Sequence, residues 1–277
     1  MAPRAKQEDP LQLRMRFRSP VTTVQLGTLV TEVIKHVLYD RERLPMPFDQ
    51  FKRFLRDTWS KDSLSMDVNA TQRFSLNKQR RAAASFNDLD RALSTISSMV
   101  QRNQVQEIRV LIGSTFVTPR EQYSIRVPRH STCNDCGNSR GLRQCLLDML
   151  STIINSSADH ARLPSSAKVT TFLRTDRRYV VDDEMEIHPN FRIPRRGKVV
   201  EFDFLLKNCP HSAERDLLPE SGSECSSGEL SSQNNGPSEH RYGEMPSDVD
   251  DRVVWVQFKN VFSTIDTRTF RQIYAVL

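Results

Sequence analysis

The sequence predicts an α+β domain in which an antiparallel sheet carries three long helices on one face. Three observations lead there. Apolar residues recur at helical spacing around residues 22–43, 85–103 and 142–154. Short segments around Ile108, Tyr123, Val169, Val200 and Val254 are strongly apolar or alternate apolar with polar residues, as half-buried strands do. These strands follow one another through short links, which favours antiparallel pairing.

The first helix has the clearest pattern, with Leu26, Val30, Val33, Ile34, Val37 and Leu38 on one broad face. Asp40, Arg41, Glu42 and Arg43 make its end polar, and Pro45 and Pro47 cannot continue it, since each lacks an amide hydrogen. Phe48, Phe51, Phe54 and Leu55 predict a short second helix over residues 48–59. Residues 60–84 are rich in Ser, Asn, Gln, Lys and Arg and read as a flexible loop. Ser85 is a suitable N-cap for the next helix, whose stripe is Phe86, Leu89, Leu93, Ile96, Met99 and Val100.

Residues 108–112 and 122–127 then form a predicted hairpin across a turn containing Gly113 and Pro119. The third long helix gathers Leu142, Cys145, Leu146, Met149, Leu150, Ile153 and Ile154 on one face. Strands are expected at 168–174, continuing near 179–181, then at 200–206 and 253–258. Residues 1–20 read as a mobile arm and 209–250, rich in Ser, Glu, Gly, Asn and Pro, as a disordered insertion. The tail, 260–277, is apolar enough to pack back on the sheet.

Composition sets limits on function. The chain has 277 residues, 37% of them hydrophobic, and a formal net charge of +6. Its basic residues are scattered without interleaved aromatics, which favours a solvated surface over a nucleic-acid site. No apolar run is long enough to span a bilayer, the first residues lack the apolar core of a secretion signal, and the five cysteines are an odd number. Together these point to a reducing compartment, cytosolic or nuclear.

Cys133 and Cys136, with His130 before them, have half of a zinc-site spacing but no second pair, so a reduced loop is expected. His36 and His188 lie in no arrangement that implies a triad. Asp182, Asp183, Glu184 and Glu186 lack the glycine and terminal glutamate of a calcium loop. No phosphate loop or dinucleotide fingerprint is present, so no enzyme, metal or cofactor is expected, and the balance shifts toward a binding protein.

Residues 29–56, LVTEVIKHVLYDRERLPMPFDQFKRFLR, carry a resemblance. They are similar to the start of the Comet family, adaptors for the mitotic checkpoint protein MAD-two. The most specific part is Leu38, Tyr39, Arg41, Leu44, Pro45 and Pro47. IRVLIGSTFVTPREQYSI at 108–125, NFRIPRRGKV at 190–199 and VVWVQF at 253–258 resemble later blocks of the family in the same order.

The resemblance implies a HORMA-like fold, with an antiparallel sheet, three long helices on one face and a C-terminal safety-belt-like segment, in a single domain over residues 21–277. It implies an adaptor that binds the closed conformer of MAD-two and presents it to an AAA+ remodelling ATPase, silencing the spindle assembly checkpoint. Such a protein works in nucleus and cytoplasm, and at the spindle or kinetochore in mitosis. The implied MAD-two contacts are Tyr39, Asp40 and Arg43 at the end of the first helix and Arg143, Leu146 and Leu150 on the third long helix. Asp40 stands where better-known members have Gln, and Leu146 where they have an aromatic. His188 and Pro189 match the ATPase-facing position. Two other readings stay open: a HORMA-type module that grips a foreign peptide, and a basic nucleic-acid-binding protein.

Overall fold

Amphipathic strands must bury one face, and among the described residues seven of them do so in one sheet, ordered β1-β6-β3-β2-β4-β7-β5. A computed structural model describes residues 9–62, 70–128, 139–156, 163–164, 167–181, 183–206 and 252–259. The strands are β1 (Leu11–Arg16), β2 (Val105–Gly113), β3 (Pro119–Arg126), β4 (Lys168–Asp176), β5 (Met185–Ile187), β6 (Lys198–Leu205) and β7 (Val253–Phe258). The helices are α1 (Thr23–Asp40), α2 (Phe48–Asp62), α3 (Ala70–Gln101) and α4 (Ser139–Asn155).

Helix α1 is the centre of the helical layer. Thr22 caps it in a reciprocal box with Gln25, and its buried residues include Leu26, Leu29, Val30, Val33, Ile34, Val37 and Leu38. Their side chains join Ile108, Val110, Ile112, Ile125, Leu173, Phe202 and Val256 of the sheet in one core. Phe48 and Phe51 of α2 lie against Phe86 of α3, with ring centroids 4.7 and 5.0 Å apart. Cys145, Met149 and Ile153 turn the inner stripe of α4 into the same core.

The predicted hairpin is present: β2 and β3 pair antiparallel, with Ile108 opposite Ile125 and Val110 opposite Tyr123. The sheet as a whole is mixed, not antiparallel. Strand β6 runs parallel to both β1 and β3, with Leu13 beside Phe202 and Ile125 beside Phe202 from the other side. Gly197 admits this crossover. Its φ is +99°, and a Cβ there would lie 2.6 Å from the Pro119 carbonyl oxygen.

Other expectations are corrected. The segment read as a mobile arm, residues 1–20, contains β1, whose Leu13, Met15 and Phe17 are buried. Its alternation with Gln12, Arg14 and Arg16 is a strand pattern obscured by the high charge around it. The loop expected at 60–84 is largely helix, because α3 starts at Ala70. Its Ala, Arg, Gln and Lys content supplies helix propensity where no wide apolar stripe exists, and Ala82 and Ala83 are buried. Ser85 therefore lies inside the helix and not at its start. The continuation expected near 179–181 is instead a single 3-10 turn, Arg177–Tyr179. The insertion 209–250, the tail 260–277 with its safety-belt reading, and His130, Cys133 and Cys136 lie outside the described residues.

Helices α1 and α3 are in tight contact at Gly27, where a Cβ would meet the Ser97 carbonyl oxygen at 2.8 Å and Gln101 Cγ at 2.9 Å. Gly27→Ala gains about 1 kcal/mol of helix propensity. It also forces two backbones apart, at about 1–3 kcal/mol for overpacking. We expect a net destabilisation, seen as a lower urea midpoint with an unchanged slope; a raised midpoint would show that the contact has room.

Candidate functional site

The end of α1 is set by hydrogen bonds, not by the prolines after it. The helix stops at Asp40 with Glu42 in the left-handed region at φ 53°. The Arg43 amide donates to the Leu38 carbonyl at 2.8 Å and the Glu42 amide to the Tyr39 carbonyl at 3.0 Å, closing a Schellman-type turn before Pro45 is reached. Two arginines then lock it. Arg41 donates through Nε and Nη2 to both oxygens of Glu121 on β3, at 2.7 and 2.6 Å, with both side chains only 7% exposed. Tyr123 donates its hydroxyl to the same carboxylate at 2.8 Å.

Arg43, expected at the partner surface, is 2% exposed. Its guanidinium donates to the Arg41 carbonyl at 2.8 Å and to the Ala167 and Pro164 carbonyls at 3.1 and 3.3 Å. It ties the end of α1 to the link between α4 and β4 and offers a partner no charge. A lone Arg in a polar run looks solvated in sequence; nothing local marks it as buried. Tyr39 and Asp40 are exposed beside it, as expected.

On α4, Arg143 is exposed and Leu146 and Leu150 are half-buried against the core. The apolar side chains that reach furthest out are Leu147 and Ile154, 53% and 61% exposed. They lie seven residues apart, two turns along one face, with Arg143 and Ser151 on the same side. The sequence places the contact at Leu146, one residue away, and Ile154 on the same apolar face as Cys145 and Met149. The helix thus covers β1 and α1 with one face and leaves an aliphatic stripe on the other. Asp148 marks its flank, accepting from the Arg18 amide at 3.3 Å.

The other face of the sheet is crossed by residues 188–197. Phe191 stacks on Phe172 at 4.0 Å and lies 5.2 Å from Trp255. His188 turns its ring into the same cluster, 5.5 Å from Phe172, and its amide donates to the Trp255 carbonyl at 2.8 Å. Its Nε2 is buried and has no hydrogen-bond partner among the described residues. His188 therefore acts as packing, and of the expected ATPase-facing pair only Pro189 faces outward.

Of the acidic cluster, Asp182 lies outside the described residues, and Glu184 accepts from the Thr95 hydroxyl at 3.2 Å. Among the described residues no group of three His, Cys, Asp or Glu side chains could hold a metal, and no helix is long and apolar enough to cross a membrane. Cys145 is buried, and burial, then Asp148, pushes its thiol pKa up, which keeps it protonated.

Burial first, then the Glu121 charge, raises the Tyr123 hydroxyl well above its ordinary 10.0. A folded-state value above the unfolded one means that stability is whole below about pH 10 and falls as pH rises past it. Tyr123→Phe should cost about 1 kcal/mol near neutrality through the lost hydrogen bond. Above about pH 10 the gap between parent and variant should narrow, since the phenylalanine has no proton to lose. Urea melts at the two pH values check this; a gap that stays constant or widens contradicts the assignment.

Two known proteins are similar to this chain. The human MAD2L1-binding protein is 25% identical over 183 residues, which are 65% of this chain and 65% of that protein. The mouse MAD2L1-binding protein is 24% identical over 185 residues, 65% of this chain and 64% of its own length. The match therefore spans somewhat less than two thirds of each relative. The family p31comet, described as Mad1 and Cdc20-bound-Mad2 binding, matches residues 6–213, well over half of the chain and from the first strand through the end of the sheet's parallel core. On that match this chain, with its HORMA-like α+β fold, belongs to the p31comet family.

Proposed function

We propose that this chain is a non-catalytic adaptor that binds Mad2, selects its closed conformer and hands it to an AAA+ remodelling ATPase, silencing the spindle assembly checkpoint. On this reading it acts in nucleus and cytoplasm, and at the spindle or kinetochore in mitosis. The observation that carries the reading is the outward aliphatic stripe of α4, Leu147 and Ile154 flanked by Leu146, Leu150 and Arg143. Exposed aliphatic side chains beside a cation suit the core of a protein interface with a polar edge. The family membership and the names of the two relatives support Mad2 as the partner. Tyr39 and Asp40 extend the contact from the end of α1, and Pro189 is the residue offered to the ATPase from the opposite face of the sheet.

For the alternative of a module that grips a foreign peptide, strand addition among the described residues is open only at the edges of the sheet, β1 and β5. Strand β4 is paired along one side by β2 and along the other by β7 of the same chain, from Phe172–Gln257 to Asp176–Val253. A foreign strand would have to displace β7 to reach it.

The test uses Mad2 locked in its closed or open form, immobilised and presented to the full chain. Binding is expected to the closed form only. Leu147→Asp with Ile154→Asp should weaken it about 100-fold, as loss of central apolar contacts does. Asp40→Arg should weaken it about tenfold. The melting temperature should stay nearly unchanged, because all three side chains are exposed. Equal binding to both forms, or full binding by the α4 double variant, would overturn the reading.

A further inference from the structure

One end of the sheet gathers arginines, and both ends of a long acidic segment reach it. Strands β1, β6 and β3 run parallel and finish there, with Arg16 beside Leu205 and Arg126 beside Asp203. Strands β2 and β7 begin there and β4 finishes there, since Glu107 pairs with Arg126, Val105 with Thr175 and Val253 with Asp176. The links at this end are tied together. The Arg177 amide donates to the Arg252 carbonyl at 2.8 Å, and the Thr175 hydroxyl to the Gln104 carbonyl at 2.7 Å.

Arg16, Arg102, Arg177 and Arg252 are exposed at this end, and Arg174 is half-buried beside them. None of the five forms an ion pair among the described residues. The nearby acids are already engaged: Asp176 with Arg178 at 3.2 Å, Glu107 with Arg109 at 2.7 Å and Glu201 with Arg126 at 2.8 Å. Residues 207–251, between β6 and β7, hold ten Asp and Glu against three Lys and Arg. They carry −7, so the chain's net +6 leaves +13 on everything else. Both anchor points of this segment, Leu206 and Arg252, lie at the arginine end, four strand spacings or about 19 Å apart. About six extended residues cover that distance, so most of the segment is surplus to the span.

We infer that residues 207–251 dock on this arginine end of the sheet as the chain's own polyanion, covering it against nucleic acid and other anionic partners. Uncompensated arginines favour carboxylates, which their planar guanidinium groups grip through two hydrogen bonds. A single exposed pair of this kind is weak. Here several are available at once, and attachment at both ends holds the carboxylates at an effective concentration on the order of millimolar. A nucleic acid fits the same arginines less well. Tyr179, the aromatic ring nearest them in the turn after β4, is already covered by the Arg178 guanidinium at 4.7 Å, and a nucleic acid would have to displace a tethered competitor. The inference uses no residue of α4, of the end of α1 or of the crossing segment 188–197, and it does not rest on Mad2 binding.

The test modifies the arginines of the full chain with phenylglyoxal and reads each rate by peptide mass spectrometry. At low salt Arg102, Arg177 and Arg252 should react about threefold more slowly than Arg53 and Arg143, exposed arginines elsewhere, and 1 M salt should remove the difference. A variant combining Glu214→Gln, Glu220→Gln, Glu224→Gln, Glu229→Gln, Glu239→Gln and Glu244→Gln should remove it at low salt as well. Fluorescein-labelled oligothymidine, followed by anisotropy, should bind that variant about tenfold more tightly than the parent, and adding Arg177→Gln with Arg252→Gln should cancel the gain. Equal rates for all five arginines in the parent at low salt, a difference that survives 1 M salt or the six substitutions, or oligothymidine bound as tightly by the parent as by the variant would each overturn the inference.

Discussion

The buried pair of Arg41 and Glu121 is the contact on which the arrangement of this molecule depends. Ions taken out of water are costly unless their hydrogen-bonding capacity is met. Here it is met closely: two parallel hydrogen bonds join guanidinium and carboxylate, and Tyr123 adds a third to the same carboxylate. The pair joins the last turn of the central helix to a middle strand of the sheet, so the helical layer and the sheet share one fixed point. Arg43, buried next to it, extends that point to the link preceding β4 through the Ala167 and Pro164 carbonyls. Removing one member would leave the other charged and buried, at a cost of about 3–5 kcal/mol. Tyr39 and Asp40 are held outward because the residues directly after them are held inward.

This division of labour runs through the whole fold. On the helical side, α4 spends Cys145, Met149 and Ile153 on the core and keeps Leu147 and Ile154 for the outside. On the other side of the sheet, the crossing segment spends His188 and Phe191 on Phe172 and Trp255 and keeps Arg192, Ile193, Arg195 and Arg196 outside. The two exposed surfaces are separated by the thickness of the sheet and the helical layer. A partner on one would leave the other open.

Much of the fold was legible because periodicity reports burial directly. The stripe of α1, the β2–β3 hairpin and the alternation of Val200, Phe202 and Phe204 all read as they fold. What escaped has physical reasons. Strand β1 is short and flanked by charge, and its partner β6 lies nearly two hundred residues away in sequence, so nothing local announces a parallel pairing. The first half of α3 has propensity without a stripe. The site was legible only in part, for a related reason. Helical spacing tells which face of α4 is apolar, but not how much of a broad face the neighbours cover, so Leu146 and Leu147 could not be told apart. The inward turn of Arg41, Arg43 and His188 is decided by partners far along the chain, Glu121, Ala167 and Phe172. A list of residue types cannot reveal such long-range satisfaction of charge.

The central claim is that Mad2 is met by the side chains the fold leaves outside on α4 and at the end of α1. Hydroxyl-radical footprinting of the full chain, alone and with closed Mad2, measures this side chain by side chain. The account predicts strong protection of Leu147, Ile154 and Tyr39, with Phe116, Val117 and Ile193 on the far face unchanged. Protection confined to the far face, with Leu147 and Ile154 as reactive in the complex as in the free chain, would contradict it.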